Sequence, residues 1–186
     1  MSAPAIDPAR HVPKPPPAAW KRYGIVLVLL GLAAFWVWAL FFASKEAVNR
    51  IGDRAWADRA EQICADVNER REELADYTRI DVGDASLIER RADIVDQATD
   101  LLDEMLIELA AEQPNDAKGA AIVPDWLADY HTYVADRRNY ADELRRTGDN
   151  SPFYETAEQG IPLSERIATF AGDNEMASCA PPRDLS

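Results

Sequence analysis

Gly24–Ala43 reads GIVLVLLGLAAFWVWALFFA. These twenty residues include no charge, proline, asparagine or glutamine. As a helix rising about 1.5 Å per residue, the stretch covers about 30 Å, the thickness of a bilayer's hydrocarbon core. It is apolar on every face, whereas a helix packed in a soluble core shows a one-sided stripe. The stretch predicts a transmembrane helix and divides the chain into residues 1–23, 24–43 and 44–186.

The two flanks differ in kind. Residues 1–23 are rich in proline and alanine and have almost nothing to bury, which predicts a disordered tail. Pro13-Lys14-Pro15-Pro16-Pro17 favours polyproline II, as a spacer or as a ligand for an SH3-like groove. Arg10, Lys14, Lys21 and Arg22 against Asp7 give the tail a net charge of +3. The other 16 basic and 32 acidic residues all follow Ala43, a net of −16. So acidic a domain repels nucleic acid and anionic headgroups, which argues against a nucleic-acid partner. Its 143 residues suffice for one compact domain.

Trp20 and Tyr23 before the span, and Trp36 and Trp38 within its second half, suit the headgroup layers as interface anchors. Ala39 and Ala43 form a small-xxx-small pair of the kind found at helix dimer contacts. The apolar run is longer than the core of a typical cleaved leader, and Phe41 is too bulky for the −3 position of a cut after Ala43. A cut after Ala39 would leave Leu40-Phe41-Phe42 as an apolar new terminus. The expectation is an uncleaved signal anchor. Four cations lie near each end of the span, so the positive-inside count is a tie. Lys21-Arg22 abuts the span, and two cysteines lie in the long domain. These features place the N-terminus in the cytoplasm and the domain outside it.

Beyond the span the periodicity is helical throughout, with no strand pattern. Trp56, Ala60, Ile63, Val67, Leu74 and Tyr77 mark one stripe on a helix from about Asp53 to Tyr77, almost continuous with the span. Ile80 to Asp84 reads as a turn. Ser86 and Glu89 read as a capping box opening a helix from Leu87 to about Glu112. After a loop through Lys118-Gly119, Pro124 suits the first turn of a helix ending near Arg146. Ser151-Pro152 opens a short helix to about Gln159, and Pro162 to Ala171 forms another. The fold class expected is all-α: a transmembrane helix followed by an antiparallel bundle of four to five helices.

Cys64 and Cys179 are the only cysteines. Paired, they close a span of 115 residues, for which loop-closure entropy gives roughly 4–5 kcal/mol. Such a bridge needs an oxidising compartment; the alternative is two buried thiols in a cytosolic domain.

Motifs for chemistry are absent. The domain's one histidine, His131, cannot supply the paired Glu-x-x-His of di-iron bundles, and no zinc spacing occurs. No serine lies in G-x-S-x-G, and no phosphate loop exists. A pair among 32 acids remains open for glycoside-type chemistry, although Asp103, Glu104 and Glu108 read better as a solvated face. Trp126, Tyr130, Tyr133 and Tyr140, with Phe153 and Tyr154, form the most suggestive set. They read either as a ligand face or as bundle core with hydroxyls at its rim. No cofactor is expected.

Ala60-Glu61-Gln62-Ile63-Cys64-Ala65 with Asn68, and Met176-Ala177-Ser178-Cys179, resemble segments of envelope-associated helical proteins of high-GC bacteria. So does the Ala/Arg/Asp-rich composition. The resemblance implies a helical, disulfide-closed domain outside the membrane, with no activity or site residues attached. The sequence therefore points first to an interaction or accessory domain of the cell envelope, partnered by the bilayer and by another envelope protein. An extracytoplasmic ligand-binding domain using the aromatic face comes second, and an enzyme with an unrecognised carboxylate pair third.

Overall fold

A computed structural model of the chain describes residues 19–41, 47–75 and 84–185. The fold is all-α, and the chain forms two compact units, residues 1–45 and 46–186. The proline-rich run, Phe42, Ala43, Tyr77 and the turn from Ile80 to Gly83 lie outside the described residues.

The first unit contains helix α1, Ala19–Phe41. It begins earlier than the sequence suggested, so Trp20 and Tyr23 lie within the helix rather than before it. Its segment Tyr23–Phe41 has mean hydropathy 2.5 and no buried residue, and its length and composition are sufficient to cross a membrane. Trp20, Tyr23, Trp36 and Trp38 are each more than half exposed.

The second unit is built from α2 (Arg54–Glu72), α3 (Ala85–Ala110), α4 (Ala117–Thr147) and α5 (Leu163–Asp173). A two-stranded hairpin, β1 (Ala157–Glu158) and β2 (Ile161–Pro162), precedes α5, and a 3₁₀ turn, Ala177–Cys179, follows it. The α3 helix packs along α4, with α2 against α3 and α5 against α4.

Helix starts depart from expectation where a nearby aspartate offers a better cap. The α2 helix does not run on from α1. Residues 47–53 are non-helical, and Asp53 caps α2 by accepting the Trp56 N–H at 3.0 Å. Asp84, not Ser86, caps α3: its Oδ1 accepts the N–H groups of Ser86 and Leu87, each at 3.2 Å, and the Ser86 hydroxyl. Asp116 opens α4 two turns ahead of Pro124 by accepting the Gly119 N–H at 2.9 Å. Pro124 therefore lies inside the helix, where it removes one backbone bond.

Asp53 and Asp116 also clasp one another's helix ends. The Asp53 N–H donates to Asp116 at 3.0 Å, and the Asn115 N–H donates to Asp53 at 3.0 Å.

The expected helix at Ser151–Gln159 is absent. Gln159 and Gly160 take φ of 53° and 82°, the paired left-handed geometry of a tight hairpin turn. Glu155 leaves its own segment and accepts from both the N–H and hydroxyl of Ser164, at 2.7 and 2.6 Å, in the first turn of α5. Thr156 is held by Asp136.

The main core joins Trp56, Ala60, Cys64 and Val67 of α2 with the second half of α3, the first half of α4, α5 and Met176. A second cluster joins Ile88, Ala92 and Val95 of α3 with Tyr140, Ala141 and Leu144 of α4 and with Leu185. Phe153 packs against both.

Candidate functional site

The four aromatic residues of α4 lie in the core, whereas Tyr154 is exposed. Trp126, Tyr130, Tyr133 and Tyr140 are only 1–6% exposed. Their spacing on α4 turns them inward, and each ring meets another. Trp126 stacks on Phe170 with centroids 5.0 Å apart and meets Tyr130 edge-on at 5.8 Å. Tyr130 meets Tyr133, and Phe153 closes the row against Tyr133 and Tyr140. Polar tips are tied to backbone carbonyls: Trp126 Nε1 donates to Ile167 at 3.3 Å, and the Tyr133 hydroxyl donates to Pro182 at 3.1 Å. Burial pushes the Tyr130 and Tyr133 hydroxyls above their ordinary pKa. A ligand could reach Tyr130, Tyr133 or Tyr140 only by unpacking the row. Trp126 also borders a surface hollow of about 410 Å³ with Asp125, Asp129 and Glu165.

Cys64 and Cys179 form a disulfide, with sulfurs 2.08 Å apart and both residues fully buried. Residues 60–65 with Asn68, and residues 176–179, meet here. Glu61 accepts from the N–H and hydroxyl of Ser178 at 2.9 and 2.7 Å, and Asn68 Nδ2 donates to the Ser178 carbonyl at 2.7 Å. The bridge is thus the middle of a polar clamp that fixes the 3₁₀ turn to α2.

Sequence reasoning passed over Arg137. It continues the buried α4 stripe between Tyr133 and Tyr140, and its side chain is fully buried. A charge there requires a partner. Asp184 supplies it through a two-armed fork at 2.7 and 3.0 Å, while Arg137 Nε donates to the Thr99 hydroxyl at 3.1 Å. Arg71 adds a longer contact to Asp184 at 3.4 Å. Burial works against the Asp184 charge, but the Arg137 fork and the Arg71 charge hold its pKa below the ordinary value. The signal in the sequence was a lone cation in register with an apolar stripe.

Asp103 and Glu104 are engaged in surface ion pairs. Asp103 pairs with Arg138 at 2.7 Å and Glu104 with Arg70 at 2.8 Å, while Glu108 is exposed. Arg138 also reaches Asp96 and Asp100, and Arg145 reaches Glu89, Asp93 and Asp96, so two arginines of α4 bridge five acids of α3. His131 is exposed. Among the described residues, no group of three or more His, Cys, Asp or Glu side chains is arranged to hold a metal ion.

A cleft of about 400 Å³ lies between the end of α2, the first half of α3 and the C-terminal segment. Its apolar wall comes from Leu74, Leu87, Ile94, Val95, Ala98 and Leu185. Arg71, Arg90, Arg91 and Arg183 also line it, against Glu72 and Asp184. The buried Nε atoms of Arg71 and Arg91 lack a hydrogen-bond partner among the described residues.

The chain matches no protein-family model, no curated protein and no solved structure.

Proposed function

We propose that this chain is a single-pass membrane protein whose α1 anchors an extracytoplasmic helical domain, residues 44–186, with residues 1–23 in the cytoplasm. The domain serves as a non-enzymatic interaction or accessory module of the cell envelope. The observation that carries this reading is the coexistence of an apolar helix of bilayer-spanning length, none of whose residues is buried, with a disulfide-closed acidic unit. Such a helix suits lipid, and a bridge between fully buried cysteines suits an oxidising compartment.

Two further features support a binding rather than a catalytic role. Six of the seven acids of α3, all but Glu108, pair with arginines of α2 or α4, and Trp126, Tyr130, Tyr133 and Tyr140 are buried in packing. Large apolar side chains remain on the surface at Ile107 and Tyr154, 71% and 81% exposed, where a partner protein could cover them.

The test is alkaline carbonate extraction of cell membranes combined with photo-crosslinking from residues placed at Ile107 and Tyr154. The proposal expects the chain to stay in the membrane pellet and to give a discrete crosslinked species with another envelope protein. A carbonate-soluble chain, or no crosslink from either position, would count against it.

A further inference from the structure

We infer that the end of the domain built from residues 47–54 and 173–175 is a lipid-contacting surface, with the Val48 turn meeting the headgroup layer of the bilayer. The inference rests on the reading of α1 as a membrane span and is indifferent to which side of the membrane the domain occupies.

Its first support is that residues 47–54 belong to the fold and are not a linker. Ile51 is a core residue, 2% exposed. Asn174 is fully buried and grips the backbone on both sides of Arg50. Its Oδ1 accepts the Ile51 N–H at 2.9 Å, and its Nδ2 donates to the carbonyls of Asn49 and Phe170 at 3.0 and 2.9 Å. Pulling the segment away would strand that amide, so it is held in place. Asn49 Nδ2 donates to Asp173 at 2.9 Å, Arg50 to Glu175 at 2.8 Å, and Arg54 to the Asn174 carbonyl at 2.8 Å.

The second support is chain length. The α1 helix ends at Phe41, and the turn that opens the fixed segment starts at Ala47, whose carbonyl accepts the Arg50 N–H at 3.1 Å. Six steps of fully extended chain reach at most about 20 Å. The α4 helix opens at this same end, where Asp116 accepts the Asp53 N–H, and its 31 residues run on for about 45 Å. The tether is therefore shorter than the domain is long, and it keeps residues 47–54 near the lipid.

The third support is what this end offers. Val48, 86% exposed, is the most exposed large apolar side chain among the described residues, and it stands on the turn next to the tether. Such a side chain gains by leaving water for the interface. The charges here are close to balance. Arg50 and Arg54 face Asp173 and Glu175, and Asp53 is occupied by the N–H groups of Trp56 and Asn115. The domain's 32 acids against 16 bases repel anionic headgroups, and this end adds little to that repulsion. It carries no basic patch either, so the contact does not require anionic lipid.

The test is fluorescence quenching of the full chain in nanodiscs of zwitterionic lipid, with a nitroxide on a fraction of the headgroups. A genetically encoded coumarin amino acid replaces Val48 in one variant and Asp149, exposed just beyond the far end of α4, in another. This labelling leaves the Cys64–Cys179 bridge intact. Emission from position 48 should fall by roughly half or more, and emission from position 149 should not change. Each variant is checked by its thermal midpoint. Should the Val48 variant unfold, the exposed Lys118 beside the Asp53–Asp116 clasp carries the probe instead, with the same expectation. Unquenched emission from this end in a chain that co-elutes with the disc would overturn the inference alone, as would equal quenching at both ends. A chain that does not enter the disc would overturn the reading of α1 and the inference with it.

Discussion

Arg137 and Asp184 hold the end of the chain to the middle of α4 through a two-armed fork with a fully buried guanidinium at one side and a partly exposed carboxylate at the other. The asymmetry has an energetic consequence. Removing the carboxylate leaves a charge that cannot reach water, whereas removing the guanidinium leaves a carboxylate that can. Asp184→Ala should therefore destabilise the domain by about 3 kcal/mol, and Arg137→Met by less. Urea unfolding of the two single variants and the double variant checks the order, and the double should cost less than the sum.

Acid should loosen the domain for the same reason. Asp53 is held below its ordinary value of 3.8 by the N–H groups of Asn115 and Trp56, and Asp116 by that of Gly119. Glu175 is held down by Arg50, and Asp184 by the Arg137 fork in spite of its burial. A carboxyl whose folded pKa lies below its unfolded value binds protons more readily when unfolded. Its contribution is complete above the ordinary carboxylate range and is lost as pH falls through the depressed value. The urea midpoint should hold from neutrality to about pH 5 on this account, then fall below about pH 4. Asp184→Asn should show a shallower fall.

Gly119 lies where the α4 start meets the Pro114 ring. A Cβ there would come within 2.6 Å of Pro114 Cβ and of an Asp116 carboxylate oxygen. Gly119→Ala should destabilise the domain by about 1–3 kcal/mol through this overlap, although alanine is the better helix former. Hydrogen exchange should rise first in residues 117–123, the two turns that Asp116 opens.

What the sequence shows well and badly follows from the range of the interactions. The α3 helix was readable because the helical period of Leu102, Met105, Leu106 and Leu109 implies it, and all four are buried. Ser86 misled because capping depends on backbone geometry, and Asp84 two residues earlier was the acceptor in reach. The Ser151-Pro152-Phe153-Tyr154-Glu155 segment carried local helix-start signals. Its glutamate is used instead across nine residues at Ser164, and Gln159-Gly160 turn the chain back. Trp126, Tyr130, Tyr133 and Tyr140 share the buried side of α4, which their spacing allowed, but spacing could not say whether they faced solvent or α5, nor that Tyr154 would lie outside the row. The arginine cleft was invisible, since Arg71, Arg91 and Arg183 are brought together only by the C-terminal segment folding back between helices.

The disulfide should matter more than any single packed side chain. Replacing both cysteines by alanine frees a loop of 115 residues, which loop-closure entropy sets at roughly 4–5 kcal/mol. The urea midpoint of the double variant should fall accordingly. The Glu61, Asn68 and Ser178 clamp should then protect less, visible as faster hydrogen exchange in residues 177–185.

The most direct test of the account is the redox state of Cys64 and Cys179 in growing cells. Cells are quenched in acid, the chain is denatured, and free thiols are tagged with a maleimide large enough to shift the band, with and without prior reduction. The account predicts no tag without reduction and two tags after it, as expected for a bridge formed outside the cytoplasm. Two tags without reduction would contradict it, since the thiols would then be free and the domain would belong to a reducing compartment.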